Sequence, residues 1–557
     1  MDITSTLFVL LSIFLLSAAL ILPWRQRRCH QNGSSPPGPP GWPFFGNIFD
    51  LGATPHQMLY ELKPKYGPVL WLKLGSVNTL VIQSAEAAAE LFKNHDQVFC
   101  DRRIPASLTA HNFNQGGISL GKYSRPYWRM LRRLYATELM VNRRINDLAS
   151  VRQKCINNMI RFMEEDAAVM EWGAMPNVVD FFPALKWLDP QGIKRNMEKE
   201  MGRALKIISK FVKQRIEEKE LGKEKQTKDL LDVLLEHQSD GKDGDDELNE
   251  QKVIIFILEM FFAGSDTNSA TIEWAMAELL RKPDSMRKAK EELDRVIGPN
   301  RKVEESDVEE LHYLQAVIKE TLRLHPPVPL LLPRNCIEDT HFMGYFIPKD
   351  TQLWVNVWAI GRDLDTWEDP LLFKPERFLD SKIDYKGQNF ELIPFGSGRR
   401  ICPGVALGHR VLHLTLATLL HCFDWELSNN TTSGQLDMSE KTGIAIRKHV
   451  PLKAIPKKRV MKCFLQGLKQ AAIPYSARWQ SCSTTQKAIG RDPDAWEDPS
   501  IFEPERLLHL GLASLLHYFD LELPINTTPA DVDMNERNGI AVRKLVPLKV
   551  IPNKEEL

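Results

Sequence analysis

The chain opens on a run without charge. From Ile3 to Trp24 nearly every position is apolar, and Arg25, Arg27 and Arg28 follow at once. A bilayer needs ~20 such residues, so 1–24 reads as one transmembrane anchor. The basic flank places the rest of the chain on the cytosolic side. A cleaved signal peptide is the weaker reading, because the apolar run is long and its positive charge lies after it. Residues 25–43 carry the basic flank and then prolines at 36, 37, 39 and 40, which read as a stiff hinge.

Helical spacing dominates from about residue 55 to 340. One interruption, 65–84, is rich in β-branched residues with glycine breaks and predicts a hairpin. Residues 251–283 are apolar on most sides and end at Pro283. They predict one long buried helix, ~45 Å at 1.5 Å per residue. Its centre, Ser265 to Asn268, is too polar for a second membrane span. After residue 340 come short strands, turns and one more apolar helix at 403–422. The expected class is mainly α with small β-sheets.

Part of the chain is repeated. AIGRDLDTWEDPLLFKPERFL at 359–379 returns at 488–508, and HLTLATLLHCFDWEL at 413–427 returns at 509–523. The closing segment 436–456 returns at 532–552. Nothing in the second copy matches 380–412. This divides the chain into a body at 44–456, a basic linker at 457–487 and an incomplete repeat at 488–557. The repeat cannot build the site described below alone. A tail derived from a neighbouring tandem gene, joined by faulty splicing or gene prediction, would explain it; a real tail would be loosely packed.

Composition narrows the classes. The 557 residues carry 72 Lys+Arg against 72 Asp+Glu, and 43% are hydrophobic. That supports a large core and argues against nucleic-acid binding. Eight cysteines, with no CxxC pair, make neither a disulfide scaffold nor a zinc ribbon. A cytosolic body keeps them reduced and leaves the Asn430 and Asn526 sequons unmodified.

FGSGRRICPG at 395–404 is the strongest chemical signal. Two glycines permit a tight backbone path beside a flat ligand. Arg400 supplies fixed charge. Cys402 precedes an apolar helix, whose N-terminal dipole and free N–H groups favour a thiolate. A thiolate so placed can ligate a redox-active metal. For the other seven cysteines, ordinary burial is the expected fate.

These residues resemble a cytochrome P450. FxxGxRxCxG takes Phe395, Gly398, Arg400, Cys402 and Gly404. ETLR at 320–323, PERF at 375–378, AGSDT at 263–267 and WRMLR at 128–132 follow the family's other patterns, in its order. The resemblance covers residues 1 to about 456. PPGPPGWPFFGNIFDLG, FKNHD and AGSDTNSATIEWAMAELL look like the plant microsomal branch that hydroxylates geraniol and other monoterpenoids.

The resemblance implies a P450 fold around a buried haem b, with Cys402 as axial thiolate. Thiolate ligation favours O–O cleavage. It implies that Asp266 and Thr267 relay protons on the distal side, against the bland reading of a threonine bonded to its own helix. Asn268 stands where many members have a second hydroxyl. Trp128, Arg132 and Arg400 would hold the propionates, since guanidinium matches carboxylate. Glu320, Arg323 and Arg377 would form a buried structural network. Arg129, Arg133 and Arg399 would offer a basic face to an NADPH-dependent reductase of the same membrane, the endoplasmic reticulum. Leu108–Phe113, Phe261–Ala263, the VPLLLP segment after Pro327 and the turn near Ile444 would line an apolar pocket. The implied reaction inserts one atom of O2 into a small lipophilic plant metabolite. An inactive chimera crippled by the tail is the alternative from another class; a reductase-independent peroxide rearrangement is disfavoured by the intact Asp266–Thr267.

Overall fold

A computed structural model describes residues 35–140 and 177–459, apart from 186, 188, 223–229, 238–247, 300, 428–430 and 444, and also 536–537 and 543–544. The expected anchor, most of the linker, nearly all of the repeat and Ile444 lie outside the described residues.

The expected hairpin is present. β1 (Val69–Leu74) and β2 (Val77–Ile82) pair antiparallel from Val69↔Ile82 to Leu74↔Val77. Gly75, at φ +59°, makes the two-residue turn with Ser76 possible. Further along the chain lie β3 (Asp101–Arg102), β4 (Arg334–Asn335), β5 (Thr340–Phe342), β6 (Tyr345–Ile347) and β7 (Gln352–Val355). β5 and β6 form their own hairpin, and the main sheet runs β1-β2-β7-β4-β3. Its far edge pairs Arg102 directly with Arg334. Like charges in opposed positions cost stability in a sheet, so this register needs a reason outside the sheet.

The proline-rich stretch is not a free spacer along its whole length. The Trp71 amide donates to the Pro37 carbonyl at 2.8 Å, and Gly46 bridges to Leu74. Residues 37–47 therefore lie along β1, which shortens any hinge to the residues before them.

Six helices position the site: α1 (Pro126–Leu134), α2 (Ile193–Glu220), α3 (Glu250–Arg281), α4 (Pro283–Val296), α5 (His312–Leu324) and α6 (Val405–Cys422). α3 is the expected long helix, 32 residues or about 48 Å. Asn249 caps it by accepting from the Lys252 amide at 3.0 Å. Pro283 starts α4 and so ends α3. The most apolar stretch of α3 is 72% buried inside the protein, as a core helix should be.

α3 joins two cores. Its first half, through Phe261, packs with α1 and α2; its second half, from Ile272, packs with α5 and α6. Ala263 is exposed and Gly264 and Thr267 are half-buried, although the turns on either side are covered. A break in burial at the middle of a core helix marks open space inside the fold.

After α6 the chain makes β8 (Phe423–Leu427), β9 (Glu440–Lys441), β10 (Arg447–Lys448) and β11 (Ala454–Lys458). β9 and β10 pair as Glu440↔Lys448 and Lys441↔Arg447. The repeat makes the same pairing, Glu536↔Lys544 and Arg537↔Arg543.

Candidate functional site

Residues 395–404 form a closed loop at the N-terminus of α6. The Cys402 amide donates to the Phe395 carbonyl at 2.9 Å, and the Ile401 amide to Gly398 at 3.1 Å. Gly398 sits at φ +67°, and a Cβ there would lie 2.6 Å from the Asp96 carboxylate. Only glycine satisfies both demands. Gly404 caps α6 and directs its amide at the Cys402 sulfur. Phe395 packs beneath, against Tyr385 at 5.4 Å between ring centres.

Cys402 is half-buried. Burial pushes its thiol up, and the Gly404 amide and Arg132 pull it back only in part. A metal at the sulfur removes that proton directly. Cys100 and Cys336 are buried too, and burial lifts each of their thiols to about 11. Arg400 lies beside Cys100, but burial outweighs its charge, and both cysteines fit the inert reading.

Around the loop stand five guanidinium groups. Arg132, on α1, donates to the Ile401 carbonyl at 2.7 Å. Arg400 donates to the carbonyls of Cys100 at 2.7 Å, Gly121 at 2.7 Å and Ile118 at 3.3 Å. Its guanidinium lies 4.2 Å over the Trp128 ring. Trp128 gives its Nε1–H to Ile118 at 2.8 Å. Arg334 pairs with Asp96 at 2.8 Å and reaches the Ser397 carbonyl at 3.0 Å. Arg102 donates to Leu332 at 2.6 Å and Ser119 at 3.1 Å. Arg399 also meets Asp96, at 3.4 Å.

Three carboxylates face these five cations: Asp96, Asp101 and Glu259. Glu259 accepts from the Ile118 amide at 2.6 Å, yet burial holds its carboxyl toward the neutral acid. Burial lowers Arg102, Arg334 and Arg132. Burial, then Arg334 and Arg132 nearby, brings Arg400 down to about 10. A group with two carboxylates and a metal for Cys402 fits this donor set; a neutral ligand does not. Sequence reading named Arg132 and Arg400 here but missed Arg102, Arg334 and Asp96. Their signal lies in the β3–β4 register, which no local motif carries.

On α3, Thr267 donates its hydroxyl to the Ala263 carbonyl at 2.6 Å, the bond of the bland reading. That bond uses the proton and leaves the oxygen's lone pairs on the half-buried side. Asn268 likewise donates to Gly264 at 2.6 Å. Asp266 is buried and accepts from the Ala445 amide at 3.3 Å and from Arg447. Asp266 and Thr267 are thus adjacent in sequence but bonded to different partners.

Apolar side chains gather at the same level. Phe113 meets Phe262 at 6.3 Å between ring centres, and Leu331 reaches within 3.5 Å of where a Gly396 Cβ would be. The Leu108–Phe113 loop therefore meets α3, and the VPLLLP segment meets the Cys402 loop.

The expected structural network comes together apart from this region. Arg323 grips Glu320 with two bonds of 2.7 Å, and Arg377 adds a third at 3.1 Å. Arg323 also donates to Pro370 at 2.7 Å, Leu372 at 3.1 Å and Gly361. The Lys374 amide completes Glu320 at 2.8 Å.

The family model for cytochrome P450 matches residues 36–171 and 168–453. An iridoid oxidase of Catharanthus roseus is 51% identical over 492 residues, covering 79% of this chain and 95% of that one. Cytochrome P450 76A2 of Solanum melongena is 45% identical, covering 81% and 99%. Geraniol 8-hydroxylase of Catharanthus roseus is 39% identical, covering 76% and 93%. A solved zebra fish cytochrome P450 with progesterone superposes with a TM-score of 0.60 at 25% identity, covering 73% of this chain and 99% of that one.

Proposed function

The chain belongs to the cytochrome P450 family and is a monooxygenase; from that premise we propose that it hydroxylates a monoterpenoid or a related small lipophilic plant metabolite. The family implies a haem-iron cofactor. The observation that carries its placement is the surplus of guanidinium charge around the half-buried Cys402.

In this reading Cys402 holds the iron, and Arg132, Arg102, Arg334 and Arg400 hold the propionates. Phe395, Gly398 and Gly404 shape the loop beneath. When bound, the haem supplies the activation of O2, with one oxygen atom going to the substrate and the other to water. The protein's own work is in placing and protecting. Phe113, Phe262 and Leu331 exclude water and give a small hydrocarbon its binding surface. Thr267, fixed by Ala263, offers an acceptor oxygen at the exposed turn of α3. Asp266 is the nearest acid from which that hydroxyl can be resupplied.

The substrate class rests on two relatives, named for iridoid and geraniol oxidation, and on the apolar lining. The membrane anchor at 1–24 would hold the enzyme on the endoplasmic reticulum. α1 offers the electron donor a basic face: Arg125, Arg129 and Arg133 are exposed on it, beside Lys122 and the half-exposed Arg399. That face suits the acidic surface of an NADPH-dependent reductase.

The test is the carbon monoxide difference spectrum of the reduced protein in membranes, for the full chain and for a chain ending at Pro456. A thiolate-type band in both, lost in Cys402→Ala, is expected, with a spectral shift on adding geraniol. A band only in the shorter chain would favour the inactive chimera. Absence of the band in both would overturn the assignment of Cys402.

A further inference from the structure

Away from Cys402, the end of α3, the length of α4 and β8 enclose a groove of about 370 Å³. Leu279 and Leu280 of α3, Pro283 and Met286 of α4 and Trp425 of β8 give it an apolar floor. Leu280 and Met286 are half-buried and Pro283 is exposed. The α4 positions on it, 283, 286, 287, 290, 291 and 294, recur at helical spacing. The groove therefore follows one face of α4, whose 14 residues span ~21 Å. A groove laid along a helix accepts a second, amphipathic helix.

The chain itself arrives at one end of it. Just past β11, the Arg459 amide donates to the Cys422 carbonyl at 3.0 Å. The Arg459 guanidinium pairs with Asp294 at 2.8 Å and lies 3.8 Å from Asp424. Its Nη1 is buried and has no hydrogen-bond partner among the described residues. Buried donors are rarely left in that state.

The sequence beyond Arg459 matches the groove in pattern, length and charge. Met461, Phe464, Leu465, Leu468 and Ala472 recur at i, i+3, i+4, i+7 and i+11, one apolar stripe about 100° wide. Lys462, Gln466, Lys469 and Gln470 fall on the other side. Pro474 stops a helix at Ile473. Residues 460–473 would then span ~21 Å, the length of α4. Gly467 weakens such a helix in isolation, so it needs a partner for its stripe. Two antiparallel helices have equal rise, so the sum of facing positions stays constant. Arg459 opposite Asp294 then sets Lys462 opposite Glu291 and Lys469 opposite Asp284, a cation against a carboxylate each time.

We propose that residues 460–473 dock as an amphipathic helix in this groove of the same chain, antiparallel to α4. Phe464, Leu465 and Leu468 cover Pro283, Met286 and Leu280, and the first turn brings backbone carbonyls to Arg459 Nη1. The start of the linker thereby belongs to the folded body, and the repeat hangs from a fixed point at residue 473. The inference does not depend on the reading of Cys402.

The experiment is hydrogen exchange on the full-length holoenzyme in membranes, with the carbon monoxide band as a check on each variant. Amides of 465–473 should exchange at least roughly tenfold slower than an unstructured chain, the factor that one buried leucine supplies. Leu465→Asp should remove this protection and keep the band. Met286→Lys, on the groove side, should do the same. Lys462→Glu/Lys469→Glu should lower protection by roughly two- to fourfold, and adding Asp284→Lys/Glu291→Lys should restore it. Free exchange of 465–473 in the wild type would overturn the proposal. So would protection that survives Met286→Lys and the charge reversal, since lipid or another surface would then cover the segment. Protection that disappears on dilution in detergent to monomers would place the segment on a second copy and overturn docking within one chain.

Discussion

The arginines around Glu320 and the arginines around Cys402 both include buried guanidinium groups, Arg323 in one and Arg334 and Arg400 in the other, but their bonds are spent differently. Arg323 uses all five N–H groups: three on backbone carbonyls and two on Glu320. Glu320 in turn takes Arg323, Arg377 and the Lys374 amide. Around Cys402 five arginines share three carboxylates, and Arg102 and Arg334 are set opposite each other in the sheet. A saturated cluster can only hold the fold. A cluster with surplus charge and surplus donors can hold the fold and still bind an anion. The lesson is that burial of arginine does not identify a site; the balance of its partners does.

Removing Arg323 should give the largest effect. Arg323→Ala leaves the Glu320 carboxylate, with 0% of its side chain exposed, held only by Arg377 and the Lys374 amide. Breaking such a buried pair costs about 3–5 kcal/mol. Urea unfolding should show a loss of that size, or the chain should fail to accumulate with its thiolate band. A stable, normally folded Arg323→Ala would mean that the two clusters do not differ as described.

Arg132→Ala should act on the cofactor instead. Arg132 gives one bond to Ile401, so the fold loses little. A charge-assisted bond to a propionate is worth about 1.5–3 kcal/mol, or roughly ten- to a hundredfold in haem retention. Haem transfer to apomyoglobin should be faster by that order, with near-normal urea unfolding of the holoenzyme. Equal loss in both assays would make Arg132 structural.

How much of this was legible depended on distance along the chain. The Cys402 loop spans ten residues, and Glu320 and Arg323 are one helical turn apart, so both could be read from spacing. The β1–β2 hairpin and α3 followed from periodicity for the same reason. Arg102 and Asp96 lie six residues apart, but Arg334 comes from a distant segment and joins them only when β3 meets β4. Asp266 and Arg447 are 181 residues apart. The roles expected of Trp128 and Arg400 also looked simpler in sequence: in the fold, Trp128 Nε1–H and much of Arg400 are engaged by carbonyls. Side-chain type can be read locally, but the partners that use up its donors cannot.

Glu440 offers a milder version of the saturated case, and a pH test. Burial opposes its ionisation, but the His56 hydrogen bond and the charges of His56, His325 and Arg362 outweigh this and lower its carboxyl to about 2. The unfolded value is about 4.3. A depressed folded value means that this stabilisation is complete above the unfolded value and is lost as pH falls toward 2. Tryptophan fluorescence should therefore show wild-type stability falling between pH ~4.3 and ~2. Glu440→Gln should be less stable at neutral pH by about 1–2 kcal/mol and flatter across that window. Identical slopes for both proteins would show that Glu440 is not a controlling group.

Arg102→Gln should change folding least, and that is its value. Arg102 loses bonds to Leu332 and Ser119, each worth about 0.5–1.5 kcal/mol. Glutamine can recover one of them. Removing a like charge opposite Arg334 returns about 0.2–1 kcal/mol. The terms nearly cancel, so urea unfolding should move by less than about 1 kcal/mol. Haem retention should still fall, because one of the surplus cations is gone. This pairing of a small folding change with a weaker cofactor grip cannot arise at Arg323, where every donor is already used within the protein. If Arg102→Gln destabilised the chain as much as Arg323→Ala, the β3–β4 arginine pair would be part of the scaffold, and the surplus of charge around Cys402 would lose its meaning as a binding site.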